Sequence, residues 1–261
     1  MSLMSTDVVK TQSEFQKINS CAKRPTDIWT NYLYYTFSLR LVYLIRKTRI
    51  TPNILTLTAL VLVLIGSGLF AVGVRSDVIW GLVLIQISYV FDCADGQLAR
   101  YKKQYSPIGG WLDQTADRIK EFVVYFSLAY GYTRFHPRNT HIWMWAMVAL
   151  FGLFLLEYFG QIDMFRGDQF KRVVPEHGSA NMAPEGSDIP DTGDTFSRVR
   201  RLRSFIPFRS FIIGEQYFAM LVFIAFDAVY PFLVFVSIVS VVMAFYRPVI
   251  DYIKYRRRLA A

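Results

Sequence analysis

Six long apolar segments, separated by short polar stretches, dominate the pattern of hydrophobic and polar residues along the chain. They cover roughly residues 52–74, 78–100, 107–135, 140–163, 208–228 and 231–250. An α-helix needs about 20 apolar residues to cross a bilayer, and these segments are of that length. Pro52, Pro107 and Pro231 stand at or near the start of three of them, where a helix does not need a backbone donor. The pattern predicts an all-α, polytopic membrane protein with six transmembrane helices in residues 51–250.

Residues 26–50 are apolar and aromatic but less regular. Arg40 interrupts the apolar run, and Arg46 and Lys47 close it. A seventh span is one interpretation, but it would make the number of crossings odd. We therefore predict an interfacial amphipathic helix that lies under the bundle.

The remaining segments are polar. Residues 1–25 form a polar N-terminal arm without the apolar run of a cleavable signal, and residues 251–261 form a basic tail. Residues 164–207 are rich in Gly, Pro, Ser and acidic residues around 175–195, which predicts a flexible loop.

The distribution of basic residues predicts the orientation in the membrane. Of the 29 Lys and Arg residues, 24 fall on one set of loops and termini and only three, Arg75, Arg134 and Arg138, on the other. The positive-inside rule places the larger set, with both termini, in the cytoplasm. The net charge of +9 is then explained by flanks that face anionic lipid, and nucleic acid is not expected as a partner.

Four carboxylates lie inside this apolar sequence: Asp92, Asp95, Asp113 and Asp117. Ionised carboxylates at membrane depth cost several kcal/mol each unless they have partners, so they indicate a functional site. The helical period puts Asp92 and Asp95 on one face and Asp113 and Asp117 on another, and small residues share both faces. A structural salt-bridge network with nearby cations is the alternative, but it would not require the glycines.

Four carboxylates on two facing helices predict a metal site at the cytoplasmic end of the bundle. Two divalent cations bridged by carboxylates are a recurring solution for displacement at phosphorus. Oxygen ligands favour Mg²⁺ or Mn²⁺, whereas zinc prefers Cys or His. Arg100, one helical turn beyond Asp95 and Gly96, is placed to bind a diphosphate through both arms of its guanidinium.

The string from Asp92 to Asp117 resembles the motif of the CDP-alcohol phosphotransferases, D-x2-D-G-x2-A-R-x8-G-x3-D-x3-D, and matches it at every fixed position. Pro52-Asn53-x2-Thr56 and Ser106 also match the family. The resemblance implies that the four carboxylates ligate two Mg²⁺ or Mn²⁺ ions and that Asp117 is also the general base. It further implies a binding site for the cytidine diphosphate group that consists of Asn53, Thr56, Gly96, Ala99, Arg100 and Ser106.

The resemblance implies a phospholipid-biosynthesis enzyme, and homodimers are common in the family. We expect it to transfer a phosphatidyl group from CDP-diacylglycerol to a small polar alcohol and to release CMP at the cytoplasmic face. Transfer of a phospho-alcohol from CDP-choline or CDP-ethanolamine to diacylglycerol is the alternative. A magnesium-dependent prenyltransferase and a cation transporter are more distant ones. Surplus cations near the site favour a phosphorylated acceptor, and the candidate residues for binding it are Arg118, Lys120, Arg200, Arg201 and Arg203.

Overall fold

The computed structural model describes residues 13–23, 26–173, 211 and 213–259, and their regular secondary structure is helical. In chain order the elements are α1 (Glu14–Ser20), a π-helical turn (Thr30–Tyr34), α2 (Tyr35–Ile45), α3 (Pro52–Val72), α4 (Arg75–Lys102), α5 (Pro107–Phe135), α6 (His141–Val173), α7 (Ile213–Ala225) and α8 (Val229–Leu259). The all-α prediction is confirmed for these residues.

Two of the three predicted proline starts are confirmed, whereas α8 begins at Val229, two residues before Pro231. Pro52 and Pro107 are the first residues of α3 and α5. The Ser106 hydroxyl caps α5 by accepting a hydrogen bond from the Gly109 N–H at 2.9 Å. α3 ends at Gly73, whose φ of 78° favours glycine, and α4 begins two residues later. The short connection makes α3 and α4 an antiparallel pair.

Four helices are long and apolar enough to cross a membrane: α3, α4, residues 141–162 of α6 and residues 229–250 of α8. α5 is 29 residues long, which corresponds to about 43 Å of helix. Five of its six charged residues lie between Asp113 and Glu121 and the sixth is Arg134, so α5 lacks a sufficiently long apolar stretch. α7 has 13 described residues, and the predicted start of that segment at 208 lies outside the described part. The chain is a multi-pass membrane protein; the count of six spans remains a prediction.

Glycines set the close approach of the first long helices. α3 packs against both α4 and α5, and α6 packs against α8. A Cβ placed on Gly66 of α3 would lie 2.9 Å from the Gly81 carbonyl oxygen of α4. A Cβ on Gly131 of α5 would overlap the Phe70 carbonyl of α3. Backbones in contact at small residues are the usual way for membrane helices to associate tightly.

The N-terminal region differs from the prediction. The predicted polar arm contains the short helix α1, and the segment predicted to form one interfacial helix consists of the π-helical turn and α2; its position at the membrane interface remains a prediction. Both helices lie over a second apolar cluster, which is separate from the main core. Its buried members are Ile18, Tyr35, Leu39, Val42, Leu55, Ala94 and Leu98. α1 could not be predicted from hydropathy because a single buried side chain, Ile18, attaches it.

Two helices are longer than the apolar pattern indicates. α6 continues to Val173, past the predicted start of the flexible loop at 164, and α8 continues through Pro248 to Leu259. Lys, Arg, Gln and Glu have good helix propensity, so a helix does not have to end where its apolar residues end. The rest of the predicted loop, residues 174–207, lies outside the described residues.

Candidate active site

Three of the predicted carboxylates form one cluster. Asp92 and Asp95 lie on α4, and Asp113 lies on α5, which follows α4 after a short turn. One oxygen from each lies within 4.8 Å of the other two. Asp95 is buried, with only 6% of its surface exposed. The helical spacing therefore brings the acids of the two helices together, as predicted.

Asp117 reaches this cluster through a lysine. The Lys120 ammonium lies 2.7 Å from an Asp117 oxygen and also forms an ion pair with Asp92. Only 4% of the Lys120 side chain is exposed. The ammonium thus connects the last acid of α5 to the first acid of α4, and it partly compensates the charge of the four carboxylates.

α3 contributes the predicted threonine and asparagine. The Thr56 hydroxyl donates a hydrogen bond to Asp95 Oδ2 at 2.5 Å, which fixes the orientation of that carboxylate. Asn53 lies against the start of α5: a Cβ placed on Gly109 would lie 2.9 Å from Asn53 Oδ1 and 3.0 Å from Ser106 Oγ. The predicted residues of α3 and α5 therefore enclose one small space, and Gly109 keeps it open.

The next turn of α4 carries the predicted phosphate-binding residues. The Arg100 guanidinium lies beside Gly96, where a Cβ would be 3.3 Å from Nη1 and 3.5 Å from Nη2. Ala99 is half-buried on the same helix. Among the described residues, Arg100 forms no ion pair within 4.0 Å, although four aspartates lie within a few helical turns. Its charge is therefore available to an anionic ligand.

The cations predicted to bind the acceptor are, unlike Arg100, paired with carboxylates where the structure describes them. Arg118 forms ion pairs with Glu121, at 2.6 Å, and with Glu157 of α6. Lys120 is paired with two aspartates, as described above. Arg200, Arg201 and Arg203 lie outside the described residues. The cationic surplus that the sequence indicated is thus largely compensated in the part of the site that the structure describes.

A cavity of about 40 Å³ opens beside Asp117 and Lys120. It is lined by Arg118 and Glu121 of α5 and by Gln216 and Tyr217 of α7, among others. Sequence reasoning missed Glu121, Glu157, Gln216 and Tyr217. A signal existed for Glu157, a lone acid in the apolar run of α6. Gln216 and Tyr217 carry no such signal, because only the packing of α7 against α4 brings them to the site.

The donor set fits a hard divalent cation. The clustered ligands are carboxylate oxygens, which suit Mg²⁺ or Mn²⁺. With Lys120 included, the four carboxylates still leave three uncompensated negative charges. Burial makes such an excess costly, so the site favours the binding of cations.

The overall fold is similar to that of the phosphatidylinositol phosphate synthase of Mycobacterium tuberculosis. The structure with CDP-DAG bound superposes with a TM-score of 0.53 at 17% identity and covers 82% of this chain and 91% of that one. The complex with manganese and citrate gives a TM-score of 0.52 at 18% identity, over 80% of this chain and 86% of that one. At this level of identity the likeness concerns the fold.

Two sequence relatives are synthases or transferases with partial similarity to this chain. The archaetidylinositol phosphate synthase of Pyrococcus horikoshii is 34% identical over 82 residues, which are 31% of this chain and 42% of that protein. The bifunctional IPC transferase and DIPP synthase of Aquifex aeolicus is 33% identical over 119 residues, 44% of this chain and 25% of that protein. The chain thus spans less than half of the length of these relatives.

The family model of the CDP-alcohol phosphatidyltransferases matches residues 49–167. This stretch contains α3, α4, α5 and most of α6, with all four aspartates, Thr56 and Arg100. It is also the part of the chain in which the carboxylates converge. The stretch that carries the acidic site, residues 49–167, belongs to the CDP-alcohol phosphatidyltransferase family.

Proposed function

We propose that the protein transfers a phosphatidyl group from CDP-diacylglycerol, or a closely related CDP-lipid, to a hydroxyl of a small phosphorylated alcohol and releases CMP. The observation that carries this proposal is the cluster of Asp92, Asp95 and Asp113 oxygens, with Arg100 about one helical turn further along α4 and without an ion-pair partner among the described residues. A metal site on the same helix face region as a guanidinium that is not neutralised by a carboxylate is suited to a diphosphate.

The CDP group of the donor would bind across α3, α4 and the start of α5. Arg100 would hold the diphosphate, and Gly96 and Ala99 would leave room for the cytidine. Asn53, Thr56 and Ser106 would complete the pocket. The contacts among Asn53, Ser106 and Gly109, and between Thr56 and Asp95, support this arrangement.

Asp92, Asp95, Asp113 and Asp117 would hold two Mg²⁺ or Mn²⁺ ions. When bound, the ions supply positive charge that stabilises the transferred phosphate and the leaving CMP. Thr56 and Lys120 would then act as positioning residues, because each binds a carboxylate of this set. The manganese in the similar Mycobacterium structure supports this choice of ion.

Asp117 would be the general base. An alcohol is a poor nucleophile at neutral pH, so a carboxylate must take its proton while the new bond forms. The acceptor oxygen bonds to the phosphorus of the phosphatidyl group, the bond from that phosphorus to the CMP oxygen breaks, and the acceptor proton passes to Asp117.

The structure weakens one argument for a phosphorylated acceptor, the surplus of cations near the site, and the relatives supply another. Arg118 and Lys120 are each paired with carboxylates, so they contribute less to binding an anion than the sequence indicated. The names of a relative and of the similar structure, both inositol phosphate lipid synthases, favour inositol phosphate as the acceptor. The basic cluster Arg200, Arg201 and Arg203 remains the proposed cationic contribution of the chain.

The experiment is CMP release by the purified protein in lipid nanodiscs with Mg²⁺. Diacyl and dialkyl-ether CDP-lipids would each be combined with inositol 1-phosphate, glycerol 3-phosphate, inositol, serine or no acceptor. We expect release that depends on inositol 1-phosphate and is lost in Asp113→Asn. Release with unphosphorylated inositol alone would overturn the proposed acceptor class. Absence of release with all acceptors, but turnover of CDP-choline and diacylglycerol, would overturn the proposed donor.

A further inference from the structure

We infer that helix α1 is part of the donor site and that the backbone carbonyl of Cys21, at its end, positions the Arg100 side chain. The inference rests on the proposed function, in which Arg100 binds the diphosphate. It adds a segment that lies outside the family match, 79 residues before Arg100 in the sequence.

The contact is made by one nitrogen of the guanidinium. Arg100 Nε donates a hydrogen bond to the Cys21 carbonyl oxygen, while Nη1 and Nη2 lie beside Gly96. The carbonyls of the last turn of a helix have no partner within that helix, so Cys21 has an acceptor to offer. Since Nε is bound to protein, the N–H groups of Nη1 and Nη2 are left for a ligand.

α1 is attached firmly enough to hold this carbonyl in place. Ile18 is fully buried in the apolar cluster beneath α1 and α2. Glu14 and Arg46 form an ion pair at 2.7 Å, and this hydrogen-bonded guanidinium lowers the pKa of the Glu14 carboxyl. Phe15 packs edge-on against Tyr43, with ring centroids 6.1 Å apart.

The chain is also fixed just after Cys21. The Tyr35 hydroxyl donates a hydrogen bond to the Lys23 carbonyl oxygen at 3.1 Å. The carbonyl that contacts Arg100 therefore lies between two anchors, the buried Ile18 and the bonded Lys23. Both anchors are in contact with α2, so the N-terminal region as a whole supports the arginine.

The physical consequence is preorganisation. A free arginine loses much side-chain entropy when it binds a phosphate, and a guanidinium that is already fixed loses less. If α1 is detached, Arg100 keeps its charge but not its orientation. We therefore expect detachment of α1 to weaken binding of CDP only as long as Arg100 is present.

The test is a double-mutant cycle on the full-length protein in nanodiscs with Mg²⁺, with the Kd of CDP as the readout. Arg100→Ala and Ile18→Ser would each raise the Kd by about tenfold, the size expected for loss of an oriented charged hydrogen bond. The double variant would be no weaker than Arg100→Ala alone. Ile18→Val keeps the apolar contact, and Leu44→Ser changes an exposed residue of α2, so both should keep the wild-type Kd.

The outcomes separate the two levels of the proposal. If Arg100→Ala leaves the Kd of CDP unchanged, the proposed donor site is wrong. If Arg100→Ala weakens binding but Ile18→Ser does not, while its melting temperature drops to show that α1 is detached, the inference on α1 is wrong. Equal weakening by Ile18→Ser with and without Arg100 would mean that α1 acts on overall stability rather than through the arginine, which also overturns it.

Discussion

At the scale of single residues, Asp117 combines two proposed roles. Replacing it with Asn removes the base and a metal ligand but leaves the Arg100 side of the donor site intact. We expect Asp117→Asn to lower kcat at least about 100-fold, the usual contribution of a general base. The Kd of the CDP-lipid should change by no more than about threefold, because the proposed contacts that bind the donor before the reaction are made mainly by Arg100 and its neighbours on α4.

Asp77→Asn is the matched control, since it makes the same change at the opposite end of α4. Its kcat should equal that of the wild type. Turnover of Asp117→Asn close to the wild-type value would refute the assignment of the base.

Lys120 carries a positive charge inside the acidic site and forms ion pairs with Asp92 and Asp117, so a metal ion bound by these carboxylates would have to compete with it. Lys120→Met leaves four carboxylates without an internal counter-ion, so the metal-free protein should lose about 3 kcal/mol of stability. Because the competitor is gone, Mn²⁺ should bind at least about fivefold more tightly. Melting temperature with chelator and titration with Mn²⁺ measure the two effects.

Lys120→Arg, which keeps the charge, should behave more like the wild type in both measurements. Weaker rather than tighter Mn²⁺ binding by Lys120→Met would mean that the ammonium organises the ligands more than it competes with the ions.

Gly109 and its neighbour Gly110 offer a matched pair at the start of α5. A Cβ on Gly109 would press on Asn53 and Ser106, whereas a Cβ on Gly110 would meet nothing within 4 Å. Gly109→Ala should raise the KM for the CDP-lipid by about tenfold, which corresponds to roughly 1.4 kcal/mol of steric conflict. Gly110→Ala should leave the KM unchanged and slightly stabilise the helix.

Steady-state kinetics of the two variants side by side check this prediction. Equal KM values for Gly109→Ala and Gly110→Ala would show that the space between Asn53 and Ser106 is not used by the donor.

At the scale of helices, the contact between α3 and α4 positions the Thr56–Asp95 hydrogen bond. Gly66→Val would push the helices apart, because Gly81 and Ile85 occupy the space that the new side chain needs. We expect a loss of about 1–3 kcal/mol in the free energy of unfolding. Gly68→Val, two residues along the same helix, meets nothing within 4 Å and should cost about 0.5 kcal/mol or less.

Unfolding of both variants in mixed lipid–denaturant micelles measures the difference. A Gly68→Val variant as unstable as Gly66→Val would mean that valine destabilises α3 irrespective of its neighbours, and that the approach of α3 and α4 is not the reason for the glycine.

At the scale of the whole molecule, α5 decides the topology. Its length suffices to cross the membrane, but its composition does not identify it as a span. The distribution of Lys and Arg predicts that Lys103, before α5, is cytoplasmic and that Arg138, after it, is on the opposite side. Both positions are exposed.

Single cysteines test this prediction in a background in which Cys21 and Cys93 are replaced by serine. In intact cells a membrane-impermeant maleimide should label Arg138→Cys, and it should label Lys103→Cys only after permeabilisation. Labelling of both from the same side would mean that α5 does not cross the membrane.

Much of the architecture follows from local sequence. α5 begins and ends at the predicted residues, and α3 begins at Pro52, because proline, a serine cap and apolar periodicity act within one or two turns. The fixed spacing of the acidic motif places Asp92, Asp95 and Asp113 on facing helices for the same reason. Such features require no knowledge of distant contacts.

Tertiary structure decided the charge balance and the extent of the site. Arg118 and Lys120 are cations in any reading of the sequence, but their compensation by Glu157 and Asp92 depends on how α5 packs against α6 and α4. α1 carries no apolar pattern, yet the burial of Ile18 and the hydrogen bond between Tyr35 and the Lys23 carbonyl hold the Cys21 carbonyl at Arg100. The sequence by itself determined most of the long helices and the helix faces that carry the acidic motif, because these depend on neighbours within a few turns. Which charges are compensated depended on contacts between distant segments, which only the folded chain brings together.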